Sequence, residues 1–473
     1  MKMCRRLLFT VLICLALIGT SESQEDWPHW MGERRDGVWR ETGMLDSFPD
    51  SGPAILWRSE IGSGYGGPAV VGQDIYLMDR IKDAGKGGEV ENNIRKAGQI
   101  PGAERILCID KDSGKTKWSY SYDCPYSIAY PTGPRCTPAV SGNEVYSLGA
   151  MGNLICLDRQ RGTILWQKDL VAEYGAQPPL WGFSSHPLVD GEQLIVPVGG
   201  QGTAIVSFDR KTGREKWRAL STLDVAYAPV QIMEQDGQRQ LIFWHGEGVD
   251  SLNPETGEHY WNIKFPEEKN PSITSIATPR IIGNQIFISE YYKGSLLLEV
   301  SLNPPGVQEI WRSYQTDPRH LTALNSMMTT PVIKDGLVYG IGYNRKGEGV
   351  FRCLELGTGK MQWTQEDWMS EKPLMFATAF IVENEEKYFM FNDQGELMIV
   401  HLSPDGLKES GRAKILEPTG VARGRKVVWS HPAFSDGKMV VRNDKEIVCV
   451  DLRKAPNVDG PTPPSSPGHL PAP

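Results

Sequence analysis

The sequence has no adjacent cysteine pair, no C-x-x-C, no C-x-x-C-H and no H-x-x-x-H. These absences remove the common spacings of zinc and haem sites, so no metal site is expected. No Walker loop and no G-x-S-x-G elbow occur, and no G-x-G-x-x-G lies between a strand and a helix. The usual signatures of phosphate, acyl-transfer and dinucleotide chemistry are therefore missing. Acidic residues are numerous, but no spacing singles out a carboxylate pair for glycoside hydrolysis. There is also no basic block, and the formal charge is −8. Nucleic acid is not an expected partner, because phosphate neutralisation supplies most non-specific affinity there.

Long apolar runs are equally scarce. One exists, from Leu7 to Ile18 behind the basic Lys2, Arg5 and Arg6, with small residues Ser21-Glu22-Ser23 after it. It is too short for a membrane span and reads as an export signal, cleaved near Gln24. Cys14 lies inside this run without the small residues that precede a lipidation site, so a lipoprotein signal is not expected. Loss of residues 1–23 removes three basic groups and one acidic group, which takes the charge of −8 to −10. The mature chain is expected to be periplasmic or secreted, monomeric, and without a transmembrane segment. From residue 455 to 473 the chain carries seven prolines and no apolar face. That tail reads as a disordered linker.

What the sequence does contain is repetition. Its fullest unit runs CTPAVSGNEVYSLGAMGNLICLDRQRGTILW, from Cys136 to Trp166. Three short β-rich runs alternate with turn signals, and a Gly-containing turn leads to a fourth run ending in Trp. Four short strands per unit is the pattern of a propeller blade. The closing Trp recurs at Trp118, Trp166, Trp217, Trp261, Trp311 and Trp363. Each offers an apolar plate with one N–H donor, suited to packing between blades. Unit starts near Gly67, Pro138, Pro187, Pro229, Pro279, Pro331, Ala377 and Pro432 give eight blades. The unit from Phe376 lacks its Trp. The last unit stops after three strands, and the missing one appears in AILWRSEI around Trp57. The prediction is an all-β, eight-bladed propeller over residues 52–454, closed into a ring by that N-terminal strand, with residues 24–51 as a lead-in. Closure removes open sheet edges.

The unit PAV-x-G-x-x-V-Y … L-x-C-L-D-x-x-T-G-x-x-x-W resembles the repeat of the pyrroloquinoline-quinone (PQQ) propeller family within the quinoprotein superfamily. The lead-in DWPHWMGERRDGVW is similar to that of exported, BamB-like members. The resemblance implies an exported scaffold of the bacterial envelope that binds envelope or secreted proteins, or a small polar ligand in the central channel, without a cofactor. The alternative is a PQQ-dependent dehydrogenase holding PQQ with calcium. Such enzymes carry adjacent cysteines, calcium ligands and an Asp base, and none of these can be matched here, so no catalytic residue is assigned.

Residues just before each first strand are expected at one mouth of the channel. The ligand-binding candidates among them are Arg135, Trp181, His186, Tyr227, Asn325, Trp429 and His431, a mixed aromatic and cationic set suited to a concave pocket. Arg135 is able to hold a carboxylate. Cys124 and Cys136 flank a departure between the first two units and are expected to form a disulfide in an oxidising compartment. Cys108, Cys156, Cys353 and Cys449 share one repeat slot and are expected to be packing residues. The charged insertion from Arg80 to Arg105 is expected to be a surface loop.

Overall fold

A computed structural model describes residues 25–82, 100–265, 272–313, 323–422 and 424–455. The expected export signal, the heart of the insertion (83–99) and the Pro-rich tail lie outside the described residues.

The described residues form eight four-stranded antiparallel sheets, plus one small hairpin, Gly420–Ala422 with Arg425–Val427. In the second blade, Ala139–Ser141, Glu144–Leu148, Asn153–Asp158 and Ile164–Asp169 follow one another outward from the axis. The inner runs are apolar on both faces because each blade packs against two neighbours. Residues 154–157 are all buried, whereas the outermost strand is mostly exposed.

The eighth blade takes its strands from both ends of the ring. Ala433–Ser435, Lys438–Arg442 and Glu446–Asp451 are completed by Ala54–Glu60, which pairs antiparallel with Glu446–Asp451. The expected closure through Trp57 is therefore present.

The Trp residues follow one geometry. Trp57 donates its indole N–H to Lys111 O in the turn of the next blade, at 2.8 Å. Trp118, Trp166, Trp217 and Trp311 do the same to Arg159, Arg210, Pro254 and Leu356. Trp363 donates to Ser403 O. The ring also lies on the glycine of that turn. Gly114 has φ +69°, and a Cβ there would sit 2.5 Å from the Trp57 ring, so glycine is required twice over. Across the sheet four of these Trp residues face a cysteine: Cys449 opposite Trp57, Cys108 opposite Trp118, Cys156 opposite Trp166 and Cys353 opposite Trp363. All four thiols are buried.

Two blades depart from this pattern and are repaired locally. The fifth turns more tightly, with Leu302 paired to Pro305 at the end of longer outer strands, and Trp261 donates instead to Gln240 Oε1 at 2.9 Å. Gln240 passes the contact on, donating to Ser301 O of the fifth blade at 3.0 Å. The seventh blade carries Gly411 where the Trp would stand, opposite Ile399 beside the bulge. The lead-in fills the gap. A Cβ on Gly411 would lie 3.1 Å from the Phe48 ring, and Ser410 donates to Asp46 O at 2.9 Å.

The insertion is not wholly a loop. Its two ends extend the strands Asp74–Lys82 and Gly102–Asp110, with Arg80 opposite Glu104. Arg80 is buried, lies 3.9 Å above the Tyr126 ring, and donates to the carbonyls of Ile100, Pro101 and Pro131. Buried charge of this kind persists only with such partners.

Candidate functional site at the channel mouth

One end of the channel is closed by the lead-in. Trp27 pairs with Val70 of the first blade, and Pro28 O accepts from Val140 N of the second. Arg35 donates to Pro187 O and Val230 O, at the third and fourth. Arg280 of the fifth donates to Asp36 O, Trp39 N donates to Glu383 O of the seventh, and Glu41 accepts from Asp436 N and Gly437 N of the eighth. Burial pushes Arg35 down to about 10. The segment is thus fastened to nearly every blade by hydrogen bonds that each have a main-chain group on at least one side.

Trp30 is the centre of this plug. Its ring stacks on His186 at 4.4 Å, meets His431 edge-on at 4.3 Å, and its N–H donates to Thr278 Oγ1 at 2.9 Å. Above it opens a cavity of about 230 Å³ at the other mouth. Its walls are Tyr65, Tyr130, Trp181, Tyr227, Phe376, Phe380 and Trp429, with Met327, Met328 and Ile276 between them. Arg135, His186 and His431 also line it. Except for Trp30 and Phe380, these residues come from connections that lead into the first strands. Trp181 packs on Tyr227 at 5.1 Å, and Trp429 on Tyr130 at 5.7 Å and Tyr65 at 6.3 Å.

The polar groups are already engaged. His186 Nδ1 accepts from Thr137 N at 2.9 Å, and His431 Nε2 accepts from Gly67 N at 3.1 Å. Burial holds His186 well below its ordinary value and pushes His431 down to about 3. Both rings are neutral, with an acceptor nitrogen spent on the backbone, so neither has the form of a general base. Arg135 donates to the carbonyls of Ala129, Tyr130 and Gly133 and lies 5.1 Å from the Tyr65 ring. Most of its donors serve the loop around it.

Six of the seven candidates therefore meet at this mouth: Arg135, Trp181, His186, Tyr227, Trp429 and His431. Asn325 does not. Its Oδ1 accepts from Tyr343 N and Arg352, and its Nδ2 donates to Tyr291 O, so it is a buried brace. The expected disulfide is absent too. Cys124 packs with Tyr126, Ile128 and Ala150, whereas Cys136 belongs to the core of the second blade. Their thiols face different acceptors, Asn153 Oδ1 and the carbonyls of Phe183 and Ser185. Sequence reasoning missed Trp30, which lies outside the repeat, and Tyr130 and Phe376. Each of the last two has positive φ, +52°, the kind of turn that redirects a side chain.

The family model described as outer membrane protein assembly factor BamB matches residues 102–365. The chain belongs to this family. Curated BamB proteins of Bordetella pertussis and Moranella endobia are 24 % and 26 % identical to it over 274 and 280 residues. Each match takes in 57 % of this chain, and 62 % and 65 % of the relative. The chain thus spans slightly less than two thirds of the length of these relatives. Among solved structures, BamB from Moraxella catarrhalis superposes with TM-score 0.54 at 13 % identity, over 85 % of this chain and 99 % of that one. A europium-containing methanol dehydrogenase gives 0.60 at 13 % identity, over 90 % and 89 %. At such identity these structures share the fold alone.

The second similarity raises PQQ as an occupant. PQQ is a planar quinone with three carboxylates, and a calcium beside it calls for oxygen donors of its own. The lining supplies one charged cation, Arg135, and no Asp or Glu. Among the described residues no group of three or more His, Cys, Asp or Glu is placed to hold a metal. The donor set of this BamB-family mouth does not fit PQQ with calcium.

Proposed function

We propose that this chain is an exported, non-catalytic scaffold of the bacterial cell envelope, binding partner proteins in the manner that the name of its curated relatives describes for them. The observation that carries this reading is the state of the polar groups at the open mouth. Arg135, His186 and His431 are bound into the ring's own hydrogen bonds, and among the described residues no carboxylate or thiol lines the mouth, so it presents a shaped surface. A closed ring with one end plugged is a rigid platform, and such platforms recognise partners through the loops they display. Within this reading residues 1–23 are an export signal, 24–51 the lead-in, 52–454 the ring, and 455–473 a linker. The protein acts as a monomer in the periplasm or outside the cell.

The test uses the purified mature chain as bait on envelope extract, beside a titration with PQQ and calcium. Recovery of envelope assembly proteins without saturable PQQ binding is the expected result. Saturable PQQ binding with dye-linked alcohol oxidation would replace the scaffold by a dehydrogenase.

A further inference from the structure

The cavity above Trp30 has a size and a polarity that select an occupant. A dry apolar cavity of about 150 Å³ is enough to hold a benzene. This one, at about 230 Å³ and open at the mouth, has room for a substituted aromatic ring. Rings meet it from several sides, in the offset and tilted contacts that aromatic groups prefer. The lining thioethers of Met327 and Met328 add soft contacts to a ring edge.

Charge narrows the choice. His186 and His431 are neutral, no carboxylate lines the cavity, and Arg135 alone carries charge. A cationic guest is disfavoured, and a neutral or acidic one is favoured. The Trp429 indole N–H is buried without an acceptor among the described residues. An unpaired buried donor of this kind costs about 1–3 kcal/mol, and this one belongs to a ring of the cavity wall.

Exposed apolar side chains at the same end of the ring decide between a small molecule and a chain. Leu223 is 79 % exposed, Val421 and Tyr292 50 %, Met375 40 % and Ile273 38 %. Four of these stand in the connections between blades. Tyr292 stands between the second and third strands of the fifth blade, at the same end of the ring. Tyr292 adjoins Tyr291, which touches the cavity wall at Phe376. A free aromatic compound would leave these side chains in water. A polypeptide lying across the mouth would cover them.

We infer that this mouth seats one aromatic side chain of an extended, neutral or acidic polypeptide segment, the flanking chain covering the apolar rim. This deepens the scaffold reading and rests on it for the nature of the partner. The occupant belongs to another protein, and the ring is the anchor site for its side chain.

The experiment uses the full mature chain and fluorescein-labelled nonapeptides, uncharged or carrying two Asp, with a single central Phe or Ala, read by anisotropy. The Phe peptides should bind at least tenfold more tightly than the Ala peptides, and a Lys-bearing version should bind more weakly. Met328→Trp fills the cavity without removing a hydrogen bond and should abolish the preference for Phe with an unchanged Tm. Leu223→Ser should weaken the peptides severalfold. Equal affinity for Phe and Ala peptides, or an unaltered preference in Met328→Trp, overturns the proposal. N-acetylphenylalaninate binding as tightly as the Phe peptide also overturns it, in favour of a small-molecule site. Envelope capture run in parallel keeps the two readings apart. Capture by wild type and Met328→Trp alike, without a Phe preference, sinks this inference and leaves the scaffold standing. A Phe preference without capture does the reverse.

Discussion

The two ends of the channel are finished in different ways. At one, the lead-in crosses from blade to blade and is fastened by hydrogen bonds to or from main-chain groups around a buried Trp30. At the other, connections of varied sequence raise aromatic side chains around a cavity and leave apolar groups in water. The first arrangement draws on backbone groups of nearly every blade, the second on side chains free to change. Stability should therefore concentrate at the plug and recognition at the mouth.

The largest expected effect tests the plug. Trp30→Ala should cost about 3–5 kcal/mol, the range for truncating a buried aromatic, read as a lowered midpoint in urea. A loss below about 1 kcal/mol would show that the lead-in is laid over the ring and does not hold it. The second test is acid. Burial pushes His29 and His431 down to about 3, while an unfolded histidine titrates near 6.5. Below pH 6.5 the unfolded chain binds protons that the folded chain refuses, so stability falls as pH falls from 6.5 towards 3. At pH 5 the loss is about 2 kcal/mol for each histidine. The loss appears above the range where carboxylates titrate, and His431→Gln should flatten that limb in a Tm-against-pH profile.

Smaller effects belong to the mouth. Arg135→Gln releases three carbonyls, and about 1–2 kcal/mol of stability should go with them in the same urea titration. Leu223→Ser should stay within about 0.5 kcal/mol, since the side chain touches little. A reductant should leave Tm unchanged, because Cys124 and Cys136 are not joined. A drop under reductant would restore the disulfide and bring together two loops that the structure keeps on separate cores.

The contrast also sorts what could be read from residues alone. Trp57 could be assigned to the last blade because the repeat has a period, and a missing strand at one end matched a surplus at the other. Arg135, Trp181 and His431 could be placed by counting back from a first strand. The same counting failed at Asn325, where the side chain turns to brace Tyr343 and Arg352. Cys124 and Cys136 are near in sequence, yet neighbouring blades draw them apart. Trp30 had no period to betray it, because the path of the lead-in is set by contacts with blades up to several hundred residues away. Phe48 is similar: only the gap at Gly411 gives it a place.

The pairing of Ala54–Glu60 with Glu446–Asp451 also sets an order in time. The first strand of the ring to be made waits for the last, and no blade beside it can gain a permanent neighbour on that side meanwhile. Contacts of such sequence separation form slowly, and the unpaired edge is exposed until they do. Pairing of these two strands therefore turns an open, sticky arc into a sealed circle in one step.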